Sequence, residues 1–285
     1  MTIQMIIDGG ADLPQTMIEE HNLKVVPLNI HFGEEQYKTG ETIDLATFYT
    51  KLKEAEELPT SSSPSPYDFY EKYKQVDPHT PILVLALTQG LSSTYDSAVM
   101  GKDMLLEEEP GRKIAVLNTK TASCGIALLV HEAAQKIEEN LPFEEVVQHM
   151  EKKIEQTTTL FILKTLENVI KGGRLDKVKG TIAKTLNIKL LMKATEDEGS
   201  IDVTEKVRGD KKSLRRFVEQ IGEYAHHFED KVIAMSHSND EERGRSVLES
   251  IKDKYRFKDS IFTETGPLIS TYAGEGGLVI AFFKD

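Results

Sequence analysis

The chain has 285 residues, 39% of them hydrophobic and 29% charged, an ordinary globular composition with enough apolar material for two domains. A formal net charge of −12 excludes a broad basic face for nucleic acid or anionic lipid, so any anion site must be local. A single cysteine, Cys124, excludes an intrachain disulfide and a thiolate metal cluster and fits a reducing, cytoplasmic setting.

From Met1 the sequence enters an alternating apolar segment that ends at Asp8, without the basic start and long apolar stretch of a signal peptide. No apolar run approaches the roughly 18 residues of a membrane span, so the chain is not expected to be integral to a membrane. In the first half, residues 4–8, 24–31, 82–87 and 113–117 read as strands. Residues 14–20, 45–53, 67–75, 94–107, 125–137 and 142–156 read as helices, the first and last opened by a proline. Such alternation predicts a largely parallel sheet with helices on both faces, and ligands of these sheets sit where strands end and helices begin. After residue 158 the pattern changes. Strands at 160–166, 188–193, 201–207, 232–237, 260–265 and 278–283, a hairpin turn at Asp197–Ser200, and helices at 211–225 and 240–252 predict an α+β unit with helices on one face. The expected fold is therefore α/β, with an N-terminal domain at 1–158 and a C-terminal α+β domain at 159–285.

Hydroxyls gather at the expected strand ends. In LPTSSSPSPYDFY, Pro59, Pro64 and Pro66 stiffen a loop carrying Ser61, Ser62, Ser63 and Ser65. Ser65 and Pro66 fit an N-cap and first helical position, whereas Ser61 and Ser62 lie too early to cap. In TQGLSSTYDS, Ser92 and Ser93 either cap the helix from Thr94 or help its N-terminus to hold an anion. Turns at Asp8–Pro14 and Asn118–Ser123 end two further strands, and Asp12 reads as a cap for the helix after Pro14 rather than as an acid–base partner of Asp8. In the second half, Arg174 in KGGR and Arg208 in EKVRGDKK read either as local anion sites or as a solvated basic patch. Thr271 and Tyr272 fall in a glycine-rich turn before the last strand, which is no dinucleotide fingerprint because a strand follows it. There is no Walker A pattern, HExxH or GxSxG, and the eight histidines are scattered.

Six ordered motifs, DGGADLP, SSSPS, GLSSTY, KGGR, VRGDKK and GPLISTYAG, spread over residues 3–283, resemble those of the DegV family of bacterial fatty-acid-binding proteins. The resemblance implies a non-enzymatic cytoplasmic carrier that holds one long-chain fatty acid between its two domains, needs no cofactor, and presents the carboxylate to a separate ATP-binding fatty acid kinase subunit, with transient membrane contact. Carried over by position, the carboxylate ligands are Ser61, Ser62, Ser92, the Ser93 amide, Thr271 and Tyr272. Arg174 and Arg208 match arginines that dock the kinase or receive phosphate. Two positions depart from the family pattern: Gly9 stands where a serine is usual, and Tyr272 where a histidine is. A tail of about sixteen carbons at roughly 0.8 kcal/mol per buried CH₂ offers about 12 kcal/mol before the costs of ordering. Two rivals remain open at this point, a small-ketone holder related to the substrate subunit of dihydroxyacetone kinase and a serine hydrolase using Ser92.

Overall fold

A computed structural model describes residues 2–175 and 187–285. The first half builds a four-stranded parallel sheet from β1 (Gln4–Asp8), β2 (Lys24–Val26), β6 (Ile82–Ala86) and β7 (Ile114–Asn118), in the order β2-β1-β6-β7. Strands β1 and β6 are buried along their whole length, as near-continuous apolar runs in a doubly covered sheet should be. One face packs on α3 (Pro66–Lys74) and α4 (Thr94–Glu108) through Phe69, Tyr73, Ala98 and Leu105. The other meets α5 (Cys124–Glu138), which is backed by α6 (Phe143–Gln156). Helix α6 buries Phe143, Val146, Met150 and Ile154, one stripe at helical spacing.

The expected strand at 24–31 is two strands. Pro27 has no N–H to give to a ladder, so the chain leaves the parallel sheet after Val26. It then pairs as β3 (Asn29–Phe32) with β4 (Glu35–Lys38) and β5 (Thr60–Ser62) in a small antiparallel sheet, while α1 (Gln15–Glu20) and α2 (Leu45–Glu54) fill the connections. Neither β4 nor β5 was visible as an alternating segment.

The second half forms a six-stranded sheet in the order β10-β9-β8-β13-β11-β12. Its members are β8 (Thr157–Ile162), β9 (Ile188–Ala194), β10 (Ile201–Arg208), β11 (Val232–His237), β12 (Asp259–Glu264) and β13 (Leu278–Phe283). All neighbours are antiparallel except β11 and β12. Strand β8 begins three residues before its expected start, because its threonines pair with Phe283, Phe282 and Ala281. The expected helix at 211–225 is α8 (Asp210–Glu219) followed by the single turn α9 (Ile221–Tyr224), and these pack with α10 (Glu241–Lys254) on one face. The opposite face is also covered, by α5 of the first half. One apolar cluster therefore runs from Leu83 and Leu85 through Val130 to Val232, Ala234 and Ala281. Among the described residues, two short helices had no sequence expectation: α7 (Glu167–Lys171) and α11 (Pro267–Ala273). The second replaces the glycine-rich turn expected around Thr271 and Tyr272, since Pro267 stands at N1 and the glycines follow the helix at its end.

Candidate functional site

A cavity opens between the carboxyl edge of the parallel sheet and the face of the six-stranded sheet. The first half contributes Leu87, Leu91 and Ser92 after β6, Thr121, Ala122 and Ser123 after β7, and Ser61 of β5. The second half contributes Thr159 and Phe161 of β8, Ala194 and Ile201 of the β9–β10 hairpin, Val169 of α7, Val279, and Leu268, Ile269, Tyr272 and Ala273 of α11. The space between the walls is about 930 Å³ with solvent at its opening included, a slot between the two sheets.

Its walls are apolar even where they carry hydroxyls, because those hydroxyls are spent elsewhere. Thr121 Oγ1 and Thr159 Oγ1 bond each other at 2.7 Å, and Thr121 Oγ1 donates onward to the Ala122 carbonyl at 3.3 Å. Ser123 Oγ donates to the Asp12 carboxylate and lies 2.7 Å from Ser236 Oγ. Polar groups that face the slot collect at one end. There Ser61 Oγ and Tyr272 Oη are 2.6 Å apart, Arg174 lies over the Tyr272 ring at 4.9 Å, and Ser92 Oγ bonds Thr94 Oγ1 at 2.8 Å. Two depressions flank this mouth and share Arg174, one lined by Ser92, Ser93, Gly173 and Ser200, the other by Glu56, Thr60, Ser61 and Lys171. A Cβ at Gly172 would run into the Tyr272 ring, which accounts for a glycine where the KGGR segment passes beneath it.

Of the eight residues singled out from sequence, Ser61, Ser92, Tyr272 and Arg174 meet at this mouth. Ser62 does not. Adjacent residues of a strand point to opposite faces, and with Ser61 turned inward the Ser62 hydroxyl meets Asn29 Nδ2 and His31 Nε2, each at 3.2 Å, outside the cavity. Thr271 is fully buried, and its Oγ1 donates to the Pro267 carbonyl one helical turn back at 2.8 Å, so the helical backbone withdraws it from the slot. The exposed Ser93 places its hydroxyl 2.7 Å from Ser63 Oγ and borders the flanking depression rather than the slot. Arg174 sits at the mouth itself, where Nη1 donates to the Gly172 carbonyl at 2.6 Å and Nε to the Leu91 carbonyl at 3.4 Å. Arg208 is exposed at the far end of β10 from the cavity residue Ile201, roughly 23 Å along the strand. Ser65 caps α3 in a full capping box with Asp68, as its position beside Pro66 predicted. No histidine lines the cavity and no cluster of three metal-ligating side chains occurs among the described residues. Among them, too, no helix is long and apolar enough to cross a membrane.

The two aspartates of the opening turn are buried in different roles. Asp8 accepts from the Gly10 and Leu87 amides at 2.8 and 2.7 Å, and burial pushes its pKa up to about 6. Asp12 does not cap the helix after Pro14, which has no side-chain cap. Its Oδ1 accepts from the Gly266 amide at 2.7 Å, and burial pushes its pKa up to about 7. Because this pKa is raised, an unfolded chain releases the proton near pH 4 while the folded one holds it to about 7. Stability from this group is full below about pH 4 and is lost as pH rises through 7. Asp12→Asn, whose amide can accept from Gly266 and donate to Ser123, should therefore gain on the wild type by a few kcal/mol more at pH 8 than at pH 4. Urea unfolding at both pH values measures this, and a difference independent of pH would contradict it.

The sequence profile of the DegV family, described as an uncharacterised protein family, matches residues 2–285. A DegV domain-containing protein of Streptococcus pyogenes serotype M1 is 30% identical over 286 residues, covering 99% of both chains. Among solved structures, a DegV family protein from Ruminococcus gnavus, refined with vaccenic acid, superposes with a TM-score of 0.91 at 31% identity, covering 98% of this chain and 99% of that one. The Streptococcus pneumoniae fatty acid kinase B3 protein loaded with linoleic acid gives a TM-score of 0.88 at 30% identity over 100% of both chains.

Proposed function

Because the chain belongs to the DegV family along residues 2–285, we propose that it is a non-catalytic carrier that holds one long-chain fatty acid in the slot and presents the carboxylate at the mouth to an ATP-dependent kinase subunit. In this reading residues 1–158 and 159–285 form two lobes around the ligand. The observation that carries it is the division of polarity within one cavity. The wall hydroxyls of Thr121, Thr159 and Ser123 are buried and bonded within the protein, while the half-buried hydroxyls of Ser61, Ser92 and Tyr272, which bond to other hydroxyls, gather with the Arg174 guanidinium at the open end. A buried carboxylate is costly unless hydrogen-bonded, and a hydrocarbon tail gains by leaving water, so a slot polar at one end suits an amphiphile with one acidic head. The chain carries no nucleotide-phosphate loop of the Walker type, so phosphoryl transfer would draw its nucleotide and Mg²⁺ from the partner. Arg174 at the mouth would face the transferred phosphoryl group, and the exposed Arg208 the partner. A small-ketone holder anchored through histidine is disfavoured by the apolar slot and its lack of a lining histidine among the described residues.

Native mass spectrometry of the purified protein should show one fatty acid per chain, and a ligand-free or lipid-indifferent protein would end the reading. Ser61→Ala with Ser92→Ala should weaken fatty-acid binding by about tenfold to a hundredfold, one or two hydrogen bonds to a charged group, without unfolding the chain. Unchanged affinity would put the carboxylate elsewhere. Arg208→Ala should leave that affinity intact and slow acyl-phosphate formation with a cognate kinase.

A further inference from the structure

Helix α11 belongs to the second half by sequence, yet the first half holds it at three places. Asp12 Oδ1 accepts from the Gly266 amide at its start, Tyr49 Oη bonds Ser270 Oγ at 2.9 Å in its middle, and Ser61 Oγ bonds Tyr272 Oη near its end. Asp12 is 3% exposed and is not among the residues that line the cavity. Its second oxygen accepts from Ser123, a non-glycine residue at φ +58 that caps α5. A backbone in that region persists only where its surroundings over-determine it, and here the strain aims the Ser123 hydroxyl between Asp12 and Ser236. One buried carboxyl thus ties the opening turn to the starts of two helices, both of which line the cavity or border it.

We propose that Asp12 is a positioning residue for the fatty-acid head group: by fixing the start of α11 it sets where Tyr272 meets Ser61 and Arg174 at the mouth. This rests on the fatty-acid reading above. From Gly266 to Tyr272 is six residues, about 9 Å of helix, short enough for a tilt at one end to displace a hydroxyl at the other. Small displacements of a pre-set donor are costly to recognition of a charged group, and much less so to burial of a tail.

The test compares hexadecanoate with 1-hexadecanol, both delivered to the whole protein from cyclodextrin, and reads the ratio of the two Kd values. Asp12→Ala should lower the preference for the acid at least tenfold and leave the alcohol within threefold of wild type. Removing a carboxylate would by Coulomb's law favour the anionic ligand, so a fall in preference cannot arise from charge. Asp12→Asn, which preserves both contacts, should restore the wild-type ratio. Tyr49→Phe, which removes one hydroxyl from the same helix, should lower the ratio severalfold and carries the test if Asp12→Ala fails to fold. An Asp12→Ala protein that keeps its preference, or loses acid and alcohol alike, overturns the proposal, as does an unchanged ratio in Tyr49→Phe. Wild-type protein that binds neither ligand overturns the fatty-acid reading and this inference with it.

Discussion

Ala194→Phe is expected to weaken binding of long acyl chains more than a hundredfold while leaving the fold in place. Ala194 ends β9, pairs with Ile201 across the hairpin, and points its methyl group at the slot. Because it borders free space and is only half-buried, a phenyl ring can enter the cavity instead of forcing apart a packed core. The ring would displace about four methylenes. At roughly 0.8 kcal/mol each this is about 3 kcal/mol, more than a hundredfold in Kd. The loss should not depend on the carboxylate: 1-hexadecanol should lose as much as hexadecanoate. Titration with both ligands measures this, and a loss confined to the acid would show that the substitution acts on the head group and not on the tail.

The second large effect is expected at Gly199, whose replacement by valine should lower stability by about 3 kcal/mol and the Tm by roughly 6 to 12 °C. Gly199 has φ +67, where a β-branched residue is strained, and a Cβ there would meet Thr88 Oγ1 and the Lys120 carbonyl. The close approach has a purpose in the fold. The preceding Glu198 carbonyl accepts from the Gly90 amide at 3.0 Å and from Thr88 Oγ1 at 2.6 Å, so the tip of the β9–β10 hairpin is pinned to the loop that carries Ser92. Displacing the tip breaks both bonds and loosens one wall of the slot. Scanning calorimetry gives the Tm, and a Gly199→Val protein as stable as wild type would mean that the hairpin tip is free to move away at no cost.

Elements governed by neighbours in sequence were legible before any fold was known. Ser65 with Pro66 announced the start of α3, because a capping hydroxyl and a proline at N1 act within one turn. The alternation of strand and helix along 1–158, and the gathering of hydroxyls at its strand ends, pointed to the sheet edge at which the cavity opens, since that edge follows from chain direction in a parallel sheet. Where two residues were equally plausible, local pattern had nothing to offer. Ser61 faces the slot and Ser62 does not because β5 pairs with β3 in one register, and a shift of one residue would exchange them. Thr271 was misjudged because a run of small residues and glycines resembles a turn until Pro267 is seen to open a helix against the first half.

Asp12 marks the limit most clearly. As an aspartate next to a proline-led helix it reads as a local cap, but its carboxyl holds the amide of Gly266, the residue before α11, 254 residues later in the chain. The sequence by itself determined the order of the longer elements, the apolar interior and the family to which the chain belongs, all of which follow from periodicity, capping and motifs read over short distances. Only the tertiary structure decided which hydroxyls look into the slot and which carboxyl holds α11, because hydrogen bonds across the seam between the halves depend on where distant segments come to lie.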